Sequence, residues 1–323
     1  MLVTLALAAS IASFPGGSTG DLAVSVAKAT GRNVFLTQAV VQPIKKFDYE
    51  TKSYNDLTFD IRTHANLHLV TGQDLILEDT ILPPMRMPGL GVAQGPQPTW
   101  KSLEADNISN GAVTFSTAGN ERLDPASLAE AKFSKPVTVN WMLGKYGVAV
   151  SVSKLPEKTF LSDIAQSVGG KLVDDKAGYR LDLDPEGFRT RVLNLLGAKP
   201  AEKTNNPALV RQDEEHYLLL ESVIRTVDAA SLEKAFRDPG AATDFNADGS
   251  SSLAGDIAQS LSATGQARPR GRVLEVKTQN GLAFLDARTQ LVVTLKSDFT
   301  GSIAVQAVDA RGRPKTFELP FSP

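Results

Sequence analysis

The sharpest chemical spacing in this 323-residue chain is Asp244-Phe245-Asn246-Ala247-Asp248-Gly249-Ser250-Ser251-Ser252. It matches the front of a calcium loop, D-x-N-x-D-G. In such a loop, oxygens at the first, third and fifth positions converge on one ion. Glycine at the sixth permits a sharp turn, and the seventh offers its carbonyl. The ligands here would be Asp244, Asn246, Asp248, Ser250 and Ser252, with calcium as the ion. Two positions depart from the pattern. Ser251 stands where an apolar residue anchors the loop, and Gly255 stands where a bidentate glutamate closes it, with Asp256 one residue late. A polar surface turn of the same composition is the competing reading. Calcium bound here would fall in the weak range of extracellular modules, about 10⁻⁴–10⁻³ M.

Histidine is scarce: His64, His68 and His216. A four-residue spacing suits one helix face and a metal. However, Asn66-Leu67 reads as a helix end, so His64 and His68 straddle a boundary and read as surface residues. His216 follows Asp213-Glu214-Glu215, acids that favour a helix start. The chain holds no G-x-x-x-x-G-K-[ST] phosphate loop and no G-x-S-x-G elbow. Asp174-Asp175 falls in an expected hairpin turn, where aspartate serves the backbone. No local motif therefore points to catalysis.

The composition is that of a chain able to bury real cores, with 42% hydrophobic and 22% charged residues. The formal net charge of −2 gives no field that would attract nucleic acid. With no cysteine, disulfides and thiolate chemistry are excluded. Met1–Ser13 is a short apolar run ending in small residues, with Ser10-Ile11-Ala12 as a cleavage site, although no lysine or arginine precedes Lys28. It reads as a signal peptide, too short to span a bilayer. No later segment is apolar for 18 residues, so no membrane span is expected in the mature chain.

The chain also repeats itself. A gapless shift of 103 residues lays Asp21–Glu78 on Asp124–Leu181. Val34 and Leu36 fall on Val137 and Val139, and Phe47 and Tyr49 on Val150 and Val152. Leu57, Ile61, Ala65 and Leu69 fall on Phe160, Ile164, Val168 and Leu172. In the first copy, Asp21 N-caps a helix to Ala29 that stops at Gly31. Strands follow over Asn33–Thr37 and Ile44–Tyr49, then a helix over Tyr54–Ala65 and a hairpin of Leu67–Val70 with Asp74–Leu77. The second copy reads the same way: a helix over Pro125–Lys132, strands over Val137–Trp141 and Val148–Ser153, a helix over Thr159–Val168, and a hairpin of Lys171–Val173 with Tyr179–Leu183. The common order is α-β-β-α-β-β.

Two stretches resemble a known family. Gly31-Arg32-Asn33-Val34-Phe35-Leu36 is similar to the helix, Gly-x-Asn-Val, strand opening of the short N-terminal domains of secretins and TonB-dependent receptors. Lys158–Leu172 resembles the helix-glycine-strand part of the same domain. The resemblance covers about 115 residues. It implies a protein-interaction module of envelope machines that performs no chemistry.

The expected fold is α+β. Residues 1–20 form a signal peptide and leader, 21–82 a first module, and 83–123 a Pro/Gly-rich linker with one strand at Gly111–Ser116. Residues 124–198 form a second module, 199–270 a linker and helices with the EF-hand-like loop, and 271–323 an antiparallel β-rich domain. The expected function is a periplasmic or secreted, non-enzymatic scaffold that binds a protein partner in a secretion, pilus or transport assembly. The alternatives are an extracellular calcium-dependent binding module, or an enzyme whose site forms only in three dimensions.

Overall fold

The structure is a computed structural model that describes residues 11–37, 43–65, 67–71, 75–79, 98–145, 147–197, 207–263, 265–278 and 281–323. The Pro/Gly-rich stretch 83–97 and the Gly72-Gln73 turn expected between the first copy's hairpin strands lie outside these residues. Among the described positions the chain divides into two α+β units, 11–184 and 185–323.

In the first unit each copy opens with a strand: the first, β1, is not signalled by the sequence pattern, and the second, β8, falls within the expected Gly111–Ser116. The first copy runs β1 (Ile11–Phe14), α1 (Thr19–Thr30), β2 (Val34–Thr37), β3 (Phe47–Glu50), α2 (Tyr54–Ala65), β4 (Leu67–Thr71) and β5 (Leu75–Asp79). After β6 (Thr99–Lys101) and β7 (Ile108–Ser109), the second copy runs β8 (Ala112–Ser116), β9 (Glu121–Leu123), a 3-10 turn at Pro125–Ala129, β10 (Val137–Val139), β11 (Ala149–Pro156), α3 (Glu157–Ser167), β12 (Gly170–Asp174) and β13 (Tyr179–Leu183). Helix α1 starts earlier than expected. Ser18 is its N-cap, and Asp21 sits three residues in, closing a reciprocal capping box. Gly31, with φ 69°, stops the helix as expected. In the second copy the matching helix shrinks to the 3-10 turn, which begins at Pro125 after Asp124.

The repeat holds at the level of strand register. Antiparallel β1 and β3 match Ala12 with Tyr49 and Ser13 with Asp48. Antiparallel β8 and β11 match Phe115 with Val152 and Ser116 with Ser151, the same pairs moved by the same shift. Parallel β2 and β5 match Val34 with Leu75, whereas β10 and β13 match Val137 with Tyr179, one residue beyond the shift. The residue at the shifted position is Gly178. A Cβ there would run into the Pro136 carbonyl, so the extra turn residue has to be glycine.

The two copies do not fold as separate modules divided by a linker. Strand β2 of the first pairs antiparallel with β11 of the second, giving the sheet order β4-β5-β2-β11-β8-β7. Strands β6 to β9 fall between Thr99 and Leu123, within the stretch expected to be a linker with one strand. The stretch expected as a leader, residues 1–20, overlaps the described core. Phe14, Ser18, Thr19 and Gly20 are buried, and Phe14 packs on Phe47 with ring centroids 5.7 Å apart. A leader reaching residue 20 would take part of this core with it, and cleavage after Ala12 would cut β1.

The second unit starts at α4 (Pro185–Gly197), so the second module ends at Asp184 rather than at residue 198. It continues through α5 (Pro207–Thr226), α6 (Ala229–Ala235), β14 (Ala242–Asp248), α7 (Ser252–Ala263), β15 (Ala267–Arg270), β16 (Val273–Thr278), β17 (Gly281–Leu285), β18 (Gln290–Lys296), β19 (Gly301–Val308) and β20 (Pro314–Phe321). Among the described residues these strands make one seven-stranded antiparallel sheet. Because β14 pairs with β18 along its whole length, the expected boundary at 270/271 does not exist. The alternation is strict: Leu291, Val293 and Leu295 on β18 and Ile303, Val305 and Ala307 on β19 are buried. The Arg189 guanidinium donates to the Ile224 and Arg225 carbonyls at 2.8 and 3.1 Å and so caps the end of α5.

Phe299 is the tightest point of this unit. It sits in the β18–β19 turn with φ 65°, a backbone that bulky residues avoid. Its ring is buried against Phe236 at 4.7 Å and Phe188 at 6.2 Å. Packing therefore holds a conformation that the residue alone would refuse. Phe299→Ala leaves the strained φ and removes the ring, so it should lower the stability of this unit by about 3–5 kcal/mol, measured by chemical denaturation followed through α5 and the sheet.

Candidate docking surface

The junction between the copies is built from a small polar latch and a strand pair. Ser18 Oγ donates to the Gly119 carbonyl at 2.5 Å, and the Gly119 N–H donates to Asp21 Oδ1 at 3.1 Å. The Ser18 N–H donates to Asp21 Oδ2 at 2.9 Å. The capping box of the first copy thereby also grips the turn that opens the second. Arg122 enters from the second copy with only 2% of its surface exposed. Its Nη1 donates to the Glu121 carbonyl at 2.7 Å and to Gly119 at 3.3 Å. Gly147 makes room for it, since a Cβ there would meet Arg122 Cβ at 2.8 Å and the Trp100 ring at 3.0 Å.

Burial, only partly offset by the Asp21 charge, lowers the Arg122 pKa to about 10. Arg122 therefore stays charged at neutral pH. Burial opposes ionisation of Asp21, but the bonds from the Ser18 backbone and hydroxyl and from Gly119, with the Arg122 charge, hold its carboxyl below the usual carboxylate range. At the far end of the junction the Ser153 N–H donates to Asn33 Oδ1 at 3.0 Å. Between these points Leu36, Phe35 and Val34 of β2 lie opposite Ala149, Val150 and Ser151 of β11. This edge-to-edge contact is uncharged on both sides. The sequence carried one visible sign of the latch, the capping-box spacing Ser18-Thr19-Gly20-Asp21. Nothing local tied it to Gly119 or Arg122.

The equivalent positions at the outer ends of the tandem differ from each other. Asp48 is exposed on β3, Lys45 and Lys46 are exposed just ahead of it, and the Glu50 N–H is already taken by Asp60 Oδ2 at 2.9 Å. Charge and a filled donor are devices that keep a strand edge from pairing. Strand β10, by contrast, is the uncharged Val137-Thr138-Val139 and forms an edge of the sheet β10-β13-β12. Away from the edges, Phe59 on α2 is 66% exposed. The second copy has Ser162 at the matching place.

The candidate calcium ligands are not gathered. Asp244, Asn246 and Asp248 lie on β14, which pairs residue by residue with β18. Alternate residues of a strand share a face, so all three are exposed while Thr243 and Phe245 point inward. At about 3.4 Å per residue, Asp244 and Asp248 are roughly 13 Å apart along the strand. Ligands at about 2.3–2.6 Å from one ion cannot span that distance. Asp244 Oδ1 instead accepts from Thr294 Oγ1 at 2.6 Å across the sheet. Asp248 Oδ1 accepts from the Ser250 N–H at 2.9 Å, and Ser252 opens α7. Gly249 has a packing role, because a Cβ there would collide with the Asp286 carbonyl. The calcium loop expected from the spacing is therefore a strand followed by an Asx turn. Among the described residues no group of three or more His, Asp or Glu side chains is placed to hold a metal.

His64 is exposed at the end of α2, stacked on Phe47 at 5.0 Å, and His68 belongs to β4. The two straddle an element boundary, as the spacing suggested. His216 lies within α5. Asp174, in the second hairpin, receives Lys135 at 2.5 Å and Lys158 at 2.7 Å.

No family model, curated protein or solved structure matches this chain.

Two outcomes follow from this geometry. Asp21→Asn should cost the first unit about 1–2 kcal/mol at neutral pH, through the lost cap and charged hydrogen bonds. Asp21 is more acidic folded than unfolded, so its stabilisation is present above its unfolded value near 4 and is lost as pH falls through the lower folded value. Unfolding midpoints of wild type should therefore drop more steeply below about pH 4 than those of Asp21→Asn. Calcium at about 10⁻³ M, the weak end of the range for extracellular modules, is expected to give neither heat in calorimetry nor a shift in the unfolding of the second unit.

Proposed function

We propose that this chain is an exported, non-enzymatic scaffold of a secretion, pilus or transport assembly in the cell envelope, with its first unit docking a protein partner. The observation that carries the reading is the duplication of one small module, whose β1–β3 pairing recurs to the residue in β8–β11 while its first helix is a 3-10 turn in the second copy. It is supported by the resemblance of Gly31–Leu36 and Lys158–Leu172 to the short secretin and TonB-dependent receptor N-terminal domains. The resemblance implies docking rather than chemistry. The apolar run before Ile11 supports export, with cleavage falling ahead of β1. No described helix is long and apolar enough to cross a membrane.

Phe59 marks the docking face. An aromatic side chain this exposed on a helix is the type of anchor that dominates binding energy at interfaces. The test presents the full chain as bait to an envelope extract and compares wild type with Phe59→Glu and Ser162→Glu. The expected result is an envelope protein retained by wild type and Ser162→Glu but weakened tenfold or more by Phe59→Glu, which is about 1.4 kcal/mol. Equal recovery by all three, or no recovery by any, would remove the docking reading.

A further inference from the structure

We infer that the free edge of β10 pairs antiparallel with β10 of a second copy of this chain, forming a symmetric dimer about an axis through Thr138. The inference starts from the chain's own junction. Strand β2 uses Val34–Leu36 to receive β11, and the duplication places Val137–Val139 at the corresponding edge of the second copy. Backbone directions confirm which groups face outward. The Tyr179 N–H donates to the Pro136 carbonyl, and the Asn140 N–H donates to the Leu181 carbonyl. Residues 136, 138 and 140 thus turn their backbone groups to β13, and Val137 and Val139 turn theirs away. Among the described residues no strand pairs with that side.

The occupant follows from symmetry and charge. Val137-Thr138-Val139 reads the same in both directions. In antiparallel pairing about Thr138, Val137 of each copy exchanges both backbone hydrogen bonds with Val139 of the other. Thr138 then faces Thr138 at a non-hydrogen-bonded pair. The flanking Lys135 is neutralised by Asp174 and lies 5.2 Å from the Tyr179 ring centroid, so no unpaired charge opposes the approach. A head-to-tail arrangement, with β10 taking β3 of the next copy, is disfavoured by three features. Asp48 lies on that strand with Lys45 and Lys46 just ahead of it, Asp60 already fills the Glu50 donor, and the clamp residue Asn33 is replaced at the equivalent place by Pro136. Three residues of edge pairing bury little area, so the dimer is a weak, reversible one.

The chain has no cysteine, which gives a direct test on the full protein without any partner. In non-hydrogen-bonded antiparallel pairs Cα atoms lie about 4.5 Å apart, within disulfide range. Thr138 is exposed, so Thr138→Cys should fold like wild type by thermal unfolding. Under mild oxidation it should form a disulfide-linked dimer about tenfold faster, or more, than Lys171→Cys on β12, because pairing raises the local thiol concentration. Thr138→Lys and Thr138→Glu should each sediment as monomers, and their mixture should recover the dimer. Cross-linking of Thr138→Cys no faster than Lys171→Cys would overturn the inference, as would a monomeric mixture of the charged variants, or ladders of trimers and higher forms. Partner docking through Phe59 is untouched by any of these results.

Discussion

The first unit depends on one antiparallel contact, the pairing of β2 with β11. Without it each copy is a small module with a two-stranded and a three-stranded sheet, and sheets of that size bury too little to be robust alone. With it, a three-stranded sheet of the first copy and the β8–β11 pair of the second become one surface. The contact works because both edges are free of charge and because their ends are fixed. Ser18, Asp21, Gly119 and Arg122 hold one end, and Asn33 holds the other. The latch carries two buried or half-buried charges, and each is compensated by hydrogen bonds or by the opposite charge. Loss of one partner would therefore cost more than the pair contributes.

The same constraint explains why the two copies diverged where they did. The inner edges, β2 and β11, had to remain apolar and pairable. The outer edge β3 has two lysines just ahead of it, an aspartate on it and a side chain over its last donor, the usual defences of a strand that must not pair. Strand β10 acquired none of them on Val137–Val139. The helices diverged too. Helix α1 keeps a full capping box because its N-terminus is part of the latch, whereas its counterpart, at no such junction, shrank to the 3-10 turn at Pro125–Ala129. The exposed Phe59 of α2 has no counterpart in α3, which leaves the proposed docking face on the first copy.

Much of the local structure was legible in the sequence because it is set by period and punctuation. Tyr54–Ala65 is a helix at both ends as read, since Leu57, Ile61 and Ala65 lie on one face. The stretch 271–323 is antiparallel β structure, as its composition and alternation implied. What the sequence concealed is long-range. Strand β1 is four residues that look like the end of a leader, and only its partner β3 reveals it as a strand. The pairing of β2 with β11 joins residues more than 100 positions apart and leaves no local trace. Phe299 is a bulky residue at positive φ in a turn, and the distant Phe188 and Phe236 rings account for it.

The segment Asp244–Ser252 shows how one composition serves two geometries. Acidic and amide side chains at alternate positions are what a calcium loop needs if the backbone curls, and what an exposed strand face carries if it runs straight. The deciding residues lie outside the motif. Thr243 and Phe245 are apolar-facing neighbours that a sheet buries, and β18 offers Thr294 opposite Asp244 as a hydrogen-bond partner. Seven backbone partners along β14 outweigh a weak ion whose closing glutamate is missing, so the chain runs straight. Gly249 then takes its place against the Asp286 carbonyl, and the turn into α7 is made by Asp248 accepting from Ser250. A motif that is half of a metal site is stable as a strand when its period is two and its neighbours are apolar. That pairing of conditions can be read from sequence, provided that the residues between the candidate ligands are weighed with the ligands themselves.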